Sequence, residues 1–344
     1  MPADNNDWLN QVPEDALEPE RPICDPHHHL FIRRPNTEAE YYVPKFAADI
    51  KASGHNIVSS VYIECNAMYR ADGPEAMKPV GEVEFANGQA AMAASGFYGP
   101  TKICAGIMGY ADLRLGKAAG DVLDAQIAAG GGSKGGDGRF KGIRFSATWS
   151  AYDDIRTAPC GPTEHQFGEA DFREGFAELA ARNLVFEAWC YHTHILEVAD
   201  LARAFPDTKM VLNHHGGPIG IGAYTGKQDE IFEVWRGDMA ELAKCENVYA
   251  KLGGIQMEVN GYGWHEREKP PTSEELTAAT RRWHDHAIEV FGTERCMFES
   301  NFPVDKMSCS YGVLWNSFKR IAADYSESEK TALFHDTAVG VYGV

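Results

Sequence analysis

Eight short β-rich apolar runs, at 23–29, 57–64, 102–109, 140–146, 184–191, 210–214, 248–253 and 296–301, alternate with longer segments able to hold helices. Helix candidates at 172–183, 195–205, 231–245 and 272–292 fill four of the intervals. Such alternation builds a parallel sheet, because each crossover must return the chain to the same end of the sheet. Eight units with right-handed crossovers close into a (β/α)8 barrel, an α/β fold that 344 residues fill as one domain. The alternative, an open doubly wound sheet, would place a G-x-G-x-x-G turn after the first strand, where this chain has His27, His28 and His29.

Residues 1–22 read as an acidic leader, with Asp4, Asp7, Glu14, Asp15, Glu18 and Glu20, and 23–344 as the barrel domain. That leader is the reverse of a signal peptide, and no apolar run approaches the roughly 18 residues of a membrane span. With 50 acidic against 32 basic residues and no long basic block, the chain lacks the surface that grips nucleic acid or anionic lipid. A small molecule is the expected partner, with a homo-oligomer left open. The eight cysteines show no CxxC pair and read as reduced thiols of a cytoplasmic protein. The stretch 130–138, GGGSKGGDG, reads as a flexible loop, with a mobile lid or an anion-binding nest as alternatives. The aromatic and polar insertion at 253–272 follows the seventh run, on the face where barrel loops build a site.

Strand side chains alternate, so His27 and His29 share one face with Asp25, and His28 takes the other. Two imidazoles on one face make half a metal site. Further histidines follow the fifth run (His192, His194) and the sixth (His214, His215), and in a parallel barrel those ends converge on one mouth. Arg144 and Lys251 are charges within apolar strands, where they need a partner or a ligand. Arg144 suits a substrate carboxylate, or an ion pair with Glu187 or Glu299. For Lys251 the plain alternative is a pair across strands seven and eight. Glu64 ends the second run, and Trp264 stands in the long insertion with Tyr262, as rim aromatics or ligand contacts.

The ordered motifs Cys24-Asp25-Pro26-His27-His28-His29-Leu30, Phe140-Lys141-Gly142-Ile143-Arg144, Val211-Leu212-Asn213-His214-His215-Gly216-Gly217-Pro218 and Asn247-Val248-Tyr249-Ala250-Lys251-Leu252-Gly253-Gly254 resemble the amidohydrolase superfamily, in its amidohydrolase-related branch. The resemblance continues to Arg295-Cys296-Met297-Phe298-Glu299-Ser300-Asn301-Phe302-Pro303-Val304. It implies a TIM barrel that, with or without metal, opens lactones or, more distantly, decarboxylates aromatic or muconate-type acids. It also implies His27 and His29 as the first-strand pair, His192 or His194 from strand five, and His214 from strand six. Family members end strand eight in Gly-Ser-Asp-Trp-Pro, whose aspartate is a metal ligand or base; here Asn301 holds that position. A neutral amide cannot take a proton from water near neutral pH. Glu299, one layer deeper, and Asp305, in the following loop, are the carboxylates that remain.

The resulting expectation is a hydrolase opening a lactone or similar ester-like bond in a small carboxylated catabolic intermediate. Its catalytic set is His27, His29, His192, His214 and Asn301, with Glu299 or Asp305 as base. Arg144, Glu64, Lys251, His215 and Trp264 face the substrate. His27, His29 and His192 would hold one divalent ion, zinc by its preference for imidazole, unless the enzyme works without metal. The alternatives are a non-oxidative decarboxylase or C–C hydrolase on the same scaffold, and a ligand-binding barrel without catalysis.

Overall fold

The computed structural model describes residues 5–32 and 40–344. All eight apolar runs are strands of one parallel sheet: β1 (Ile23–His28), β2 (Ile57–Ile63), β3 (Lys102–Gly109), β4 (Phe140–Ser146), β5 (Val185–Trp189), β6 (Met210–Leu212), β7 (Val248–Leu252) and β8 (Cys296–Phe298), hydrogen-bonded in chain order. The ring closes where β1 meets the chain after β8. A parallel bridge joins His28 to Phe302, the Asn301 N–H donates to His27 O at 2.9 Å, and the His29 N–H donates to Phe302 O at 2.7 Å. The chain is a single (β/α)8 barrel.

Helices α1 (Val43–Ser53), α2 (Val80–Ala94), α3 (Ala119–Ala129), α4 (Ala170–Ala180), α5 (Ile195–Ala204), α6 (Gln228–Leu242), α7 (Ser273–Phe291) and α8 (Tyr311–Ile321) cover the outside. The outward residues of the strands, such as Ile143, Phe145, Phe186, Ala188, Ala250 and Leu252, join the helices' buried faces in the main apolar core. Helix α7 starts on a capping box, with Thr272 Oγ1 accepting from the Glu275 N–H and the Glu275 carboxylate accepting from the Thr272 N–H.

Inside the barrel the strands sort their residues into layers. Cys24, Val61, Met108, Val185, Val211 and Met297 form an apolar floor, closed from below by Ala338, Val341 and Tyr342 of the helix α9 (Thr337–Tyr342). One step up every second residue is polar: Arg144, Glu187, Lys251 and Glu299 are all buried, which the two-residue strand period requires once the floor residues face inward.

Asp25, the glycine stretch and the acidic segment each take a definite place in the fold. Strand β1 shifts register between Asp25 and His28, next to Pro26, which has no N–H for the ladder. The alternation therefore breaks, and Asp25 does not lie under His27 and His29. Its carboxylate instead accepts from Ser300 Oγ (2.6 Å), the Ser300 N–H (3.0 Å) and Tyr311 OH (2.8 Å), tying β1 to the β8 end and α8. The glycine stretch at 130–138 precedes β4 and so sits at the end of the barrel opposite the mouth, where it cannot be a lid. It closes on itself, Asp137 accepting from the Ser133 and Lys134 N–H groups at 2.9 and 3.1 Å. The acidic segment packs on the barrel, Lys319 Nζ donating to Leu17 O and Glu18 O at 2.7 and 2.8 Å. All eight cysteines are free thiols, and among the described residues no helix is long and apolar enough to cross a membrane.

Candidate active site

The C-terminal ends of the strands open into a cavity of ≈ 1180 Å³, with His29, Glu64, Arg144, Trp189, His214 and Asn301 in its wall. Each arrives by a definable local geometry. His29 is the first residue past β1, aimed inward by the shifted register, while His28 faces out and stacks on Phe46 with ring centres 4.4 Å apart. His214 follows β6 in a turn whose residues His214, His215, Gly216 and Gly217 all have left-handed backbones, with φ of 53°, 55°, 66° and 51°. Two non-glycine residues in that region cost about 1 kcal/mol or more each. What the turn gains is the His214 ring in the mouth. Room for it comes from Gly254, where a Cβ would stand 2.0 Å from His214 Nδ1, while at Gly253 one would meet Glu299 O at 2.1 Å.

His29 Nδ1 lies 2.8 Å from Ile63 O, which can only accept, so the proton sits on Nδ1 and Nε2 carries a lone pair. That Nε2 is 3.2 Å from His27 Nε2 and 3.3 Å from Asn301 Oδ1. Asn301 is itself left-handed, φ 53°, and its Nδ2 donates to Asp305 Oδ1 at 2.9 Å, which turns the amide oxygen toward His29. Arg144 Nε donates to Glu64 Oε1 at 2.8 Å and another of its nitrogens to Glu64 O, leaving Nη1 beside His27 Nε2 at 3.5 Å. The guanidinium is thus fixed by Glu64, with neither Glu187 nor Glu299 as its partner.

Behind this wall Glu299 reaches both other imidazoles. Its Oε1 accepts from His214 Nδ1 at 2.7 Å, and its Oε2 stands 2.7 Å from His27 Nδ1 without hydrogen-bond geometry. Burial raises its pKa to about 8, with Glu187 adding to the shift and Lys251 opposing it. Burial, reinforced by the Arg144 cation and, for His27 and His214, by Lys251 as well, holds His27, His29 and His214 well below the usual imidazole range, so all three are neutral. Burial likewise raises Asp305 well above the usual carboxylate range.

Among the described residues one group offers a cation three donors: His27, His214 and Glu299, with ligand atoms all within 4.8 Å of one another. The buried Oε2 of Glu299 lacks a hydrogen-bond partner, a lone pair of the kind a cation takes up. These residues fit a divalent metal in type. The set differs from that expected from sequence, for His29 and His192 are absent from it and His214 and Glu299 take part.

His192 and His194 lie beyond the site because β5 ends at Trp189, and they fall in the turn that leads away to α5. His192 Nδ1 accepts from the Ile219 N–H at 3.3 Å, and His194 pairs with Thr193. Trp189 is the strand-five group at the mouth, edge-on to His214 at 4.7 Å. His215 points away from the cavity and packs against His284 at 4.6 Å and Trp235, since it alternates with His214 around the turn. Trp264 stays within its own loop, its Nε1 donating to Gln256 Oε1 at 2.8 Å and its ring stacked on Tyr262, so Met257, Glu258 and Val259 are the insertion residues that line the cavity. Lys251 does not reach the cavity wall. It pairs with both oxygens of Glu187 at 2.9 Å, across the barrel and not with strand eight. Glu187 was legible by the same signal as Lys251, a charge in an apolar strand.

The amidohydrolase family model matches residues 24–344, and the chain belongs to that family. It is 33% identical over 341 residues to an uncharacterised protein, y4mH, of Sinorhizobium fredii, covering 94% of this chain and 98% of that one. It is 27% identical over 177 residues to an L-fucono-1,5-lactonase of Burkholderia multivorans, covering 51% of this chain and 57% of the lactonase. Among solved structures, a zinc-bound amidohydrolase from Burkholderia multivorans superposes with a TM-score of 0.68 at 22% identity, over 94% of this chain and 99% of that one. The family and its enzyme members support an enzyme here.

Proposed function

We propose that this chain hydrolyses a lactone or similar ester-like bond in a small carboxylated molecule. One observation carries the reading: His29 Nε2 and Asn301 Oδ1, 3.3 Å apart in the cavity wall, present two acceptors to the same space beside the Arg144 guanidinium. A water there donates one proton to each. Asn301 orients it, and His29, kept neutral, takes its proton as the oxygen bonds to the carbonyl carbon. Arg144 Nη1 faces the developing oxyanion, held in place by Glu64. The ring C–O bond then breaks, and the proton on His29 passes to the leaving alkoxide to give a hydroxy acid. Asn301 thus serves as an acceptor for the water where the family pattern has a carboxylate, with Asp305 holding its amide and Glu299 behind the histidines. A divalent ion held by His27, His214 and Glu299, for which zinc suits two imidazoles and a carboxylate, would add Lewis-acid polarisation of the carbonyl. The partial likeness to L-fucono-1,5-lactonase supports lactone chemistry.

The test is a panel of 1,4- and 1,5-aldonolactones and carboxylated 2-pyrones, followed by proton release. Turnover of at least one lactone is expected. No lactone opening, with carbon dioxide released from an aromatic acid panel instead, would overturn the reading in favour of decarboxylation.

A further inference from the structure

Strand β2 leaves the sheet at its mouth end. The Glu64 N–H still donates to Met108 O of β3 at 2.9 Å, but the next peptide group, between Glu64 and Cys65, has no backbone partner among the described residues. Side chains take both of its ends. The Glu64 carbonyl oxygen accepts from Arg144 Nη2, and the Cys65 N–H donates to Glu82 Oε1 at 2.7 Å. A trans peptide is planar with its C=O and N–H pointing opposite ways, so a group that fixes the N–H also aims the carbonyl. Glu82, in the first turn of α2, is fully buried and is not part of the cavity wall. The same Oε1 accepts from the Ala67 N–H at 3.0 Å and from Tyr62 OH at 2.8 Å. Asn66, between the two amides, is left-handed, φ 62°, so the chain turns here and cannot continue the ladder. Burial and the nearby Glu64 raise the Glu82 pKa to about 7, and Oε1 can accept whether or not Oε2 carries a proton.

We propose that Glu82 is a positioning residue for the site: by holding the Cys65 N–H it aims the Glu64 carbonyl at Arg144 and so sets the direction of the guanidinium. Arg144 is held at two of its three nitrogens, Nε by Glu64 Oε1 at 2.8 Å and Nη2 by Glu64 O. A planar group fixed at two points cannot turn, and its third nitrogen, Nη1, then has one direction only. Without an acceptor at Glu82 the peptide is free to rotate and one of the two holds is lost. The Glu64 carboxylate alone would leave the guanidinium free to swing about Nε. Glu82 thus acts on the cavity wall from behind it, through a single peptide group. This inference rests on the placement of Arg144 beside the reacting water, but its test needs no substrate.

Protein labelled with nitrogen-15 at arginine gives one Nε–H signal for each arginine, and Arg144→Lys identifies the signal of residue 144. In the wild type that proton should exchange slowly with water, since it is buried and bonded to Glu64. In Glu82→Leu the signal should move and exchange faster by about tenfold, as expected when one hydrogen bond to a charged group is lost. Glu82→Gln keeps an amide oxygen for the same three donors and should leave the signal in place. Glu82→Asp, one methylene shorter, should respond in the same direction as Glu82→Leu, and it carries the test if the leucine variant does not fold. Arg295, whose Nε donates to Phe291 O at the foot of the barrel, reports on the fold as a whole and should not respond. Three results would overturn the proposal: an Arg144 signal unchanged in Glu82→Leu and Glu82→Asp, Arg144 and Arg295 responding alike, or Glu82→Gln displacing the Arg144 signal as far as Glu82→Leu. Turnover of lactones, measured separately, bears on the hydrolase reading alone.

Discussion

His29→Gln should lower kcat for the lactone substrate by about 10²–10⁴-fold, the usual contribution of a positioned general base. Glutamine is close to histidine in reach and its amide N–H can still donate to Ile63 O, so the wall stays filled and hydrogen-bonded. What disappears is a nitrogen able to accept a proton. The loss should fall on kcat with KM changing little, because the residue acts on the attacking water and not on the substrate's binding groups. Steady-state kinetics with the best lactone of the panel checks this. A loss below tenfold would remove His29 as the base and transfer that role to His214, whose Nδ1 is backed by Glu299 at 2.7 Å.

The largest effect on stability is expected at Lys251. Replacing it with methionine leaves the Glu187 carboxylate, fully buried, facing two neutral donors and no cation. Breaking a buried ion pair from one side costs about 3–5 kcal/mol, since the surviving charge keeps its desolvation penalty and loses its partner. Denaturant unfolding should show that loss as a lower midpoint at an unchanged slope. Adding Glu187→Gln removes the stranded charge while the amide oxygen can still accept from Tyr342, and the double variant should recover most of the stability. A double variant no more stable than Lys251→Met would show that the pair matters through packing and not through charge.

The barrel was legible in the chain because each of its strands is a short apolar run with helix-length spacing, and a parallel barrel turns that alternation directly into topology. That His29, Arg144 and Asn301 share the cavity wall was legible for the same reason, since residues at strand ends must meet at one mouth, and His27 packs behind His29. What sequence periodicity misjudged lay where a strand ends or slips by one residue. His192 follows β5 by three positions and is carried off by the turn, and the register shift at Pro26 turned Asp25 toward Ser300. The left-handed turn at His214 sends His215 to the opposite side. Tyr342 gave no local signal at all. It meets Glu187 across 155 positions of chain, a contact that only the closed barrel creates.

The most direct test of the central claim is turnover of the active lactone in water enriched with oxygen-18, with the product acid analysed by mass spectrometry. Attack of water on the lactone carbonyl predicts one heavy oxygen in the new carboxylate per turnover, at a rate that collapses in His29→Gln. Product that carries no label, or carbon dioxide formed without a ring-opened hydroxy acid, would contradict it.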